Sequence, residues 1–138
     1  QHGYLAKAGS LLTDNGVIMV RVPLVDSSAW EEYKIDWVQL DPPRHLYLHT
    51  RDSVDRMAEN AGLKIFKTLY DSTDFQFWAS ELYKKDMPLM DENNQCIKSP
   101  KGRFSKEEIK EFRARADQLN RSQKGDQAAF FMKKQKSD

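Results

Sequence analysis

The chain has 138 residues, enough for one domain with a modest core, and its 22 Lys and Arg offset 21 Asp and Glu to a net charge of about +1. That balance gives no electrostatic reason to expect a nucleic acid or an anionic membrane as partner, and no apolar run approaches the roughly 20 residues of a membrane span. The opening QHGYLAKAGSLL lacks the basic-then-apolar layout of a signal peptide, and a lone Cys96 has no disulfide partner and no CxxC mate for zinc, so a cytoplasmic protein is the expectation.

Tyr4, Leu5, Ala8, Leu11 and Leu12 recur at three- and four-residue spacing, which predicts a helix over 4–13. Asp14-Asn15-Gly16 should end it, with Asn15 or Gly16 in the left-handed conformation. VIMVRV (17–22) is almost continuously apolar and is closed by Pro23, the pattern of a strand buried on both faces. Residues 24–44 read as a long polar and aromatic connection. A second helix is marked at 51–61 by Thr50 as N-cap, Asp52 in the first turn and the stripe Val54, Met57, Ala58, Ala61. Gly62 closes it, and LKIFKTLYD (63–71) follows as an alternating strand. FQFWASELYKK (75–85) leans towards a short helix, with Phe75, Phe77, Trp78 and Tyr83 as core or pocket aromatics. DENNQ (91–95) and KSPKG (98–102) are loop by composition. Ser105 with Glu108 makes a capping box for a third helix, striped by Ile109, Phe112, Ala116 and Leu119. AAFFMKK (128–134) completes the set as a final strand, and KKQK (133–136) reads as a solvated tail.

Helices and strands thus alternate in an α/β pattern whose three strands are thin cover for their own apolar faces. The simplest expectation is the C-terminal portion (1–138) of a single larger α/β domain, completed by a further segment or by self-association.

The succession LLTDNGVIMVRVPLVDS, then W-x-x-LDPPRHLYLHT, then a helix ending NAGLKI, resembles the later half of class I S-adenosylmethionine-dependent methyltransferases. Within them it is similar to small-molecule and sugar methyltransferase domains, which carry a comparable PRHL stretch, and GDQAAFFMKK resembles their closing strand. The likeness implies a partial Rossmann-like methyltransferase sheet. VIMVRV would be its fifth strand, LKIFKTLYD its sixth and AAFFMKK its seventh, the last running antiparallel, with helices flanking. The glycine-rich cofactor loop of that family has no counterpart here, because the six glycines are isolated and no G-x-G occurs. The resemblance therefore implies S-adenosylmethionine as the cofactor of the parent protein, with no cofactor-binding residues in this chain. On that reading the chain by itself is an inactive fragment carrying acceptor-side elements.

The reactive side chains concentrate in DWVQLDPPRHLYLHT (36–50). Asp41, His45 and His49 are spaced as metal ligands on a helix would be, but Pro42-Pro43 break any such helix, and no metal site is expected. In an extended segment His45, Tyr47 and His49 would share one face. Open α/β sheets bind ligands at the carboxyl ends of their strands, and 23–45 leaves from such an end. That placement assigns Asp26, Trp30, Trp37, Arg44 and His45 to a pocket for a small-molecule acceptor, with His45 as the base that deprotonates a hydroxyl. The competing expectation has Trp37, Leu40 and the prolines packing across the sheet edge, with Arg44 paired to Asp36 or Asp41. A stand-alone α/β interaction module is the alternative to an enzyme, and Cys96 in its polar loop is a weak nucleophile candidate.

Overall fold

Among residues 2–91 and 93–135, which the computed structural model describes, five α-helices and three strands form in the order α1 (His2–Leu11), β1 (Ile18–Pro23), α2 (Ser28–Tyr33), α3 (Arg51–Asn60), β2 (Leu63–Tyr70), α4 (Phe75–Tyr83), α5 (Lys106–Arg121) and β3 (Gln127–Lys134). Glu92 of the 91–95 loop and Lys136 of the basic tail lie outside the described residues. The sheet order is β1-β3-β2, with β3 antiparallel to both neighbours. β1 and β2 therefore run parallel with the last strand inserted between them, which is a partial Rossmann-like α/β arrangement with its final strand antiparallel. The register places Val20 and Thr68 on either side of Phe130.

The apolar stripes of α1 and α3 cover the same side of the sheet. Leu24, Val54, Ala58, Leu63, Ala128, Phe130 and Met132 form the main core, lined further by Leu5, Leu12, Ile18, Val20, Val22 and Met57. Complete burial of a side chain such as Phe130 or Leu63 contributes about 1.5–3 kcal/mol, so this layer supplies much of the drive to fold. The opposite face carries Met19, Arg21, Phe66, Lys67, Leu69 and Lys133, and no helix covers it among the described residues. This corrects the expectation for VIMVRV: β1 alternates between half-buried and exposed positions, with Met19 59% exposed, because α1 and α3 both pack on one side.

Three other expectations change. α1 ends at Leu11, and neither Asn15 nor Gly16 is left-handed; a Cβ on Gly16 would crowd the Thr13 backbone N and O at 3.1 Å. The 24–44 connection contains α2, whose N-cap Ser27 accepts a hydrogen bond from the Trp30 amide at 3.3 Å. In β2, a bulge at Phe66 breaks the alternation, so Lys67 rather than Phe66 lies opposite Phe131.

The helix ends follow their capping signals. Thr50 Oγ1 accepts from the Ser53 amide and Ser53 Oγ accepts from the Thr50 amide, both at 3.1 Å. Gly62, at φ 68°, reverses the chain after α3. Ser105 and Glu108 form the same reciprocal box on α5. A second core, built from Ala29, Tyr33, Trp37, Phe77 and Ala116, lies where α2, α4 and α5 meet beyond the carboxyl end of β1. Arg115 fastens it from outside, pairing with Glu32 and lying over the Phe77 ring at 4.4 Å.

Candidate functional site

β1 hands the chain to the site through bonds that leave its path little freedom. The Leu24 amide donates to the Asp126 carbonyl at 2.8 Å, and the Val25 amide donates to the His49 carbonyl at 2.9 Å. α2 and two short 3-10 turns, Lys34–Asp36 and Val38–Leu40, then carry Trp37 into the second core. The Val38 amide is held by Ser80 Oγ at 3.0 Å, which ties this crossing to α4. Asp41, in the left-handed region at φ 33°, turns the chain back, and its carbonyl accepts from the amides of Arg44 and His45. Residues 41–48 form turns rather than an extended run, so the two histidines part company.

What results is a cavity of about 650 Å³ at the carboxyl end of β1. Arg21 and Pro23 form one wall, and Gln39, Asp41, Arg44 and His45 form a second. Phe75 and Tyr83 of α4, with Pro88, Leu89, Met90 and Cys96, close the rest. His45 is the chemically defined member. Its Nδ1 lies 2.8 Å from the Gln39 carbonyl, which can only accept, so Nδ1 carries the hydrogen and donates. In the neutral ring Nε2 then holds the lone pair, and it has no hydrogen-bond partner among the described residues. Burial, with the Asp41 carboxylate adding to it, holds the Tyr83 phenol above its ordinary range, so Tyr83 stays a neutral donor.

The five residues assigned to the pocket from sequence divide. Arg44 and His45 line the cavity. Asp26 does not: its carboxylate accepts from the Arg51 amide at 3.0 Å, satisfying a free donor at the start of α3. Trp37 is completely buried, with Nε1 donating to the Asp126 carboxylate at 3.1 Å, so it has no surface to offer a ligand. Trp30 packs edge-on against Trp37 at 5.8 Å and carries Lys34 on its ring, away from the cavity lining. The packing alternative thus describes Trp37, and Arg44 pairs with Asp41 at 3.2 Å. His49 is buried against α3 with Nδ1 3.2 Å from Ser53 Oγ, and burial pushes its pKa down. Among the described residues no three His, Cys, Asp or Glu side chains gather as metal ligands.

Sequence reasoning missed Arg21, Gln39 and Gln127, whereas Tyr83 stood among the aromatics read as core or pocket. Arg21 alone left a signal, as the single charge inside VIMVRV just before the strand's carboxyl end. Tyr83 and Gln127 come from segments far along the chain, and only the insertion of β3 beside β1 brings Gln127 to the cavity.

A second groove, lined by Leu5, Ile18, Val20, Val54 and Met57, lies on the helix-covered face and is almost wholly apolar. No helix among the described residues is long and apolar enough to cross a membrane. No curated protein matches the chain. Residues 1–68 match the family model described as a methyltransferase domain, a span that includes β1, α2, α3 and the Arg21 and Arg44–His45 walls of the cavity, and the match supports methyl transfer as the chemistry of this fold.

Proposed function

We propose that this chain forms the acceptor side of an S-adenosylmethionine-dependent methyltransferase domain, with a sugar or other small molecule as acceptor. The observation that carries the reading is His45: a ring fixed by the Gln39 carbonyl, with its basic nitrogen free, bordering a cavity at the carboxyl end of β1. The match of residues 1–68 to a methyltransferase domain supplies the reaction class. The residues present do not fit the cofactor itself. Only Gly62 and Gly102 among the glycines take positive φ, each alone, so no glycine turn gives close backbone approach to a nucleoside. The donor half of the site is accordingly assigned to a part of the domain outside this chain. What these residues do is hold the acceptor in the cavity and let His45 Nε2 receive the proton of its hydroxyl, a role that general base catalysis rewards by about 10²–10⁴ in rate.

The test uses the polypeptide extended by the coding sequence that precedes Gln1, incubated with methyl-labelled S-adenosylmethionine and a panel of small hydroxylated acceptors. Label transfer is expected, and His45→Gln should lower kcat by about 10²–10⁴ with little change in acceptor KM. The 138-residue chain alone should give no calorimetric signal with S-adenosylmethionine. Micromolar binding to this chain would overturn the division of labour, and unchanged kcat in His45→Gln would remove the base.

The uncovered sheet face with exposed Met19, Phe66 and Leu69 favours a second reading, a non-catalytic α/β interaction module. A start codon immediately upstream of Gln1 would favour that reading, and a strand ending in a glycine-rich turn about a domain's length upstream would favour the enzyme.

A further inference from the structure

Arg21 and Arg44 reach the cavity from different elements, and each engages its carboxylate partner by the same inner nitrogen. Arg21 Nε meets Asp71 at 2.8 Å, and Arg44 Nε meets Asp41 at 3.2 Å. Among the described residues, the terminal guanidinium nitrogens of both make no hydrogen bond. Those nitrogens are the pair of donors that match a carboxylate or phosphate in two-point fashion. Arg44 is 78% exposed in its side chain, and an ion pair that open is worth too little to hold the guanidinium against an incoming anion. The two amide side chains beside them are already engaged. Gln39 Nε2 donates to Gln127 Oε1 at 3.3 Å, and Gln127 Nε2 donates to the Asp71 carbonyl at 3.2 Å. Each amide keeps one further N–H and the Tyr83 phenol is a neutral donor, but the charged donors facing the cavity are the two guanidinium groups. The remaining lining joins apolar Val22, Phe75, Leu89 and Met90 to the His45 ring, the Tyr83 phenol and the Asp41 carboxylate that Arg44 already offsets.

We infer that the cavity is an anion-recognition site, taking a small molecule with a carboxylate or phosphate on an apolar body. Arg44 and Arg21 grip the anionic head, and Phe75 and Met90 flank the body. This rests on the reading of the cavity as the acceptor site and narrows the acceptor class within it.

Phenylacetate, phenyl phosphate and benzyl alcohol share one apolar body and differ in the head group, so titrating each into the isotopically labelled 138-residue chain isolates the charge. The two anions should bind at least about tenfold more tightly than benzyl alcohol at low salt, moving the Nε–H signals of Arg21 and Arg44. Whichever anion binds more tightly identifies the preferred head. Arg44→Gln, at an exposed position, should weaken the anions about tenfold and leave benzyl alcohol unchanged. Arg21→Gln should do the same, with thermal melting as the check that the loss of its Asp71 contact has not unfolded the sheet. Equal binding of benzyl alcohol and the anions, or anion affinity indifferent to Arg44→Gln, would overturn the inference. Anion binding with no label transfer in the extended polypeptide would keep the anion site and discard methyl transfer; the opposite pair of results would do the reverse.

Discussion

Asp126 places a carboxylate where almost no water reaches it, and its neighbours explain why it is tolerated. Burial raises its pKa, against the opposing pull of hydrogen bonds from Ser72 and the Trp37 indole. A folded-state pKa above the unfolded value of about 3.9 means that the native protein holds this proton more tightly. Its stabilising contribution is therefore complete below that unfolded value and is lost as pH rises through the native one. Urea midpoints of the wild type and Asp126→Asn, compared from pH 4 upwards, should diverge accordingly, with the wild type gaining on the variant as pH falls; parallel curves would show that Asp126 does not titrate between the two states. Trp37→Phe keeps the ring's bulk but removes the donor. It should cost about 1–3 kcal/mol in the same assay, because a buried acceptor then loses its partner. The sequence offered Trp37 either as pocket lining, because 23–45 leaves the carboxyl end of β1, or as packing across the sheet edge. Its actual partner lies 89 residues further along the chain, a distance at which no local pattern operates.

Between elements, the α5–β3 turn is fixed by a bracket in which the Ser72 amide donates to Asn120 Oδ1, Asn120 Nδ2 donates to the Ser72 carbonyl, and the Gln127 amide donates to Ser72 Oγ. Gly125 sits inside that bracket. A Cβ there would lie 2.5 Å from Asn120 Oδ1 and 2.6 Å from Ser72 Oγ, so Gly125→Ala should force the bracket open at about 1–3 kcal/mol. Gly62→Ala tests a different cause. Its Cβ would meet open space, but φ of 68° charges any side chain about 1 kcal/mol. Chemical denaturation that ranks Gly62→Ala as the more harmful would contradict this assignment of roles. Elements with their own end signals were legible: Thr50, Gly62 and the Ser105–Glu108 box bound their helices as the residues imply. α2 was hidden because its six residues show too few turns for a stripe, and its inward residues Ala29 and Tyr33 meet partners only in the folded molecule. The cavity was half legible for the same reason. Arg44 and His45 sit in one conspicuous stretch and Tyr83 stood among the candidate pocket aromatics, whereas Gln127 joins Arg21 beside them only through sheet topology.

At the scale of the molecule, the three-stranded sheet leaves β1 paired on one side only and one face uncovered, among the described residues. That face joins apolar and cationic groups. Phe66 and Phe131 meet at 6.5 Å, Lys67 and Lys133 lie over the Phe131 and Phe66 rings, and Met19 stands beside Phe131 in the register. Exposed apolar surface of this kind drives association, while the lysines of two copies brought face to face repel. The chain is therefore expected to self-associate weakly at low salt and more strongly as salt screens the lysines, the reverse of an interface held by ion pairs. Sedimentation equilibrium across a salt series reads this directly. Met19→Lys, which replaces an exposed apolar group on the open strand with a further like charge, should shift the protein towards monomer at every salt concentration. A clean monomer at all salts, or a dimer that salt dissolves, would show that this face is not what joins the copies.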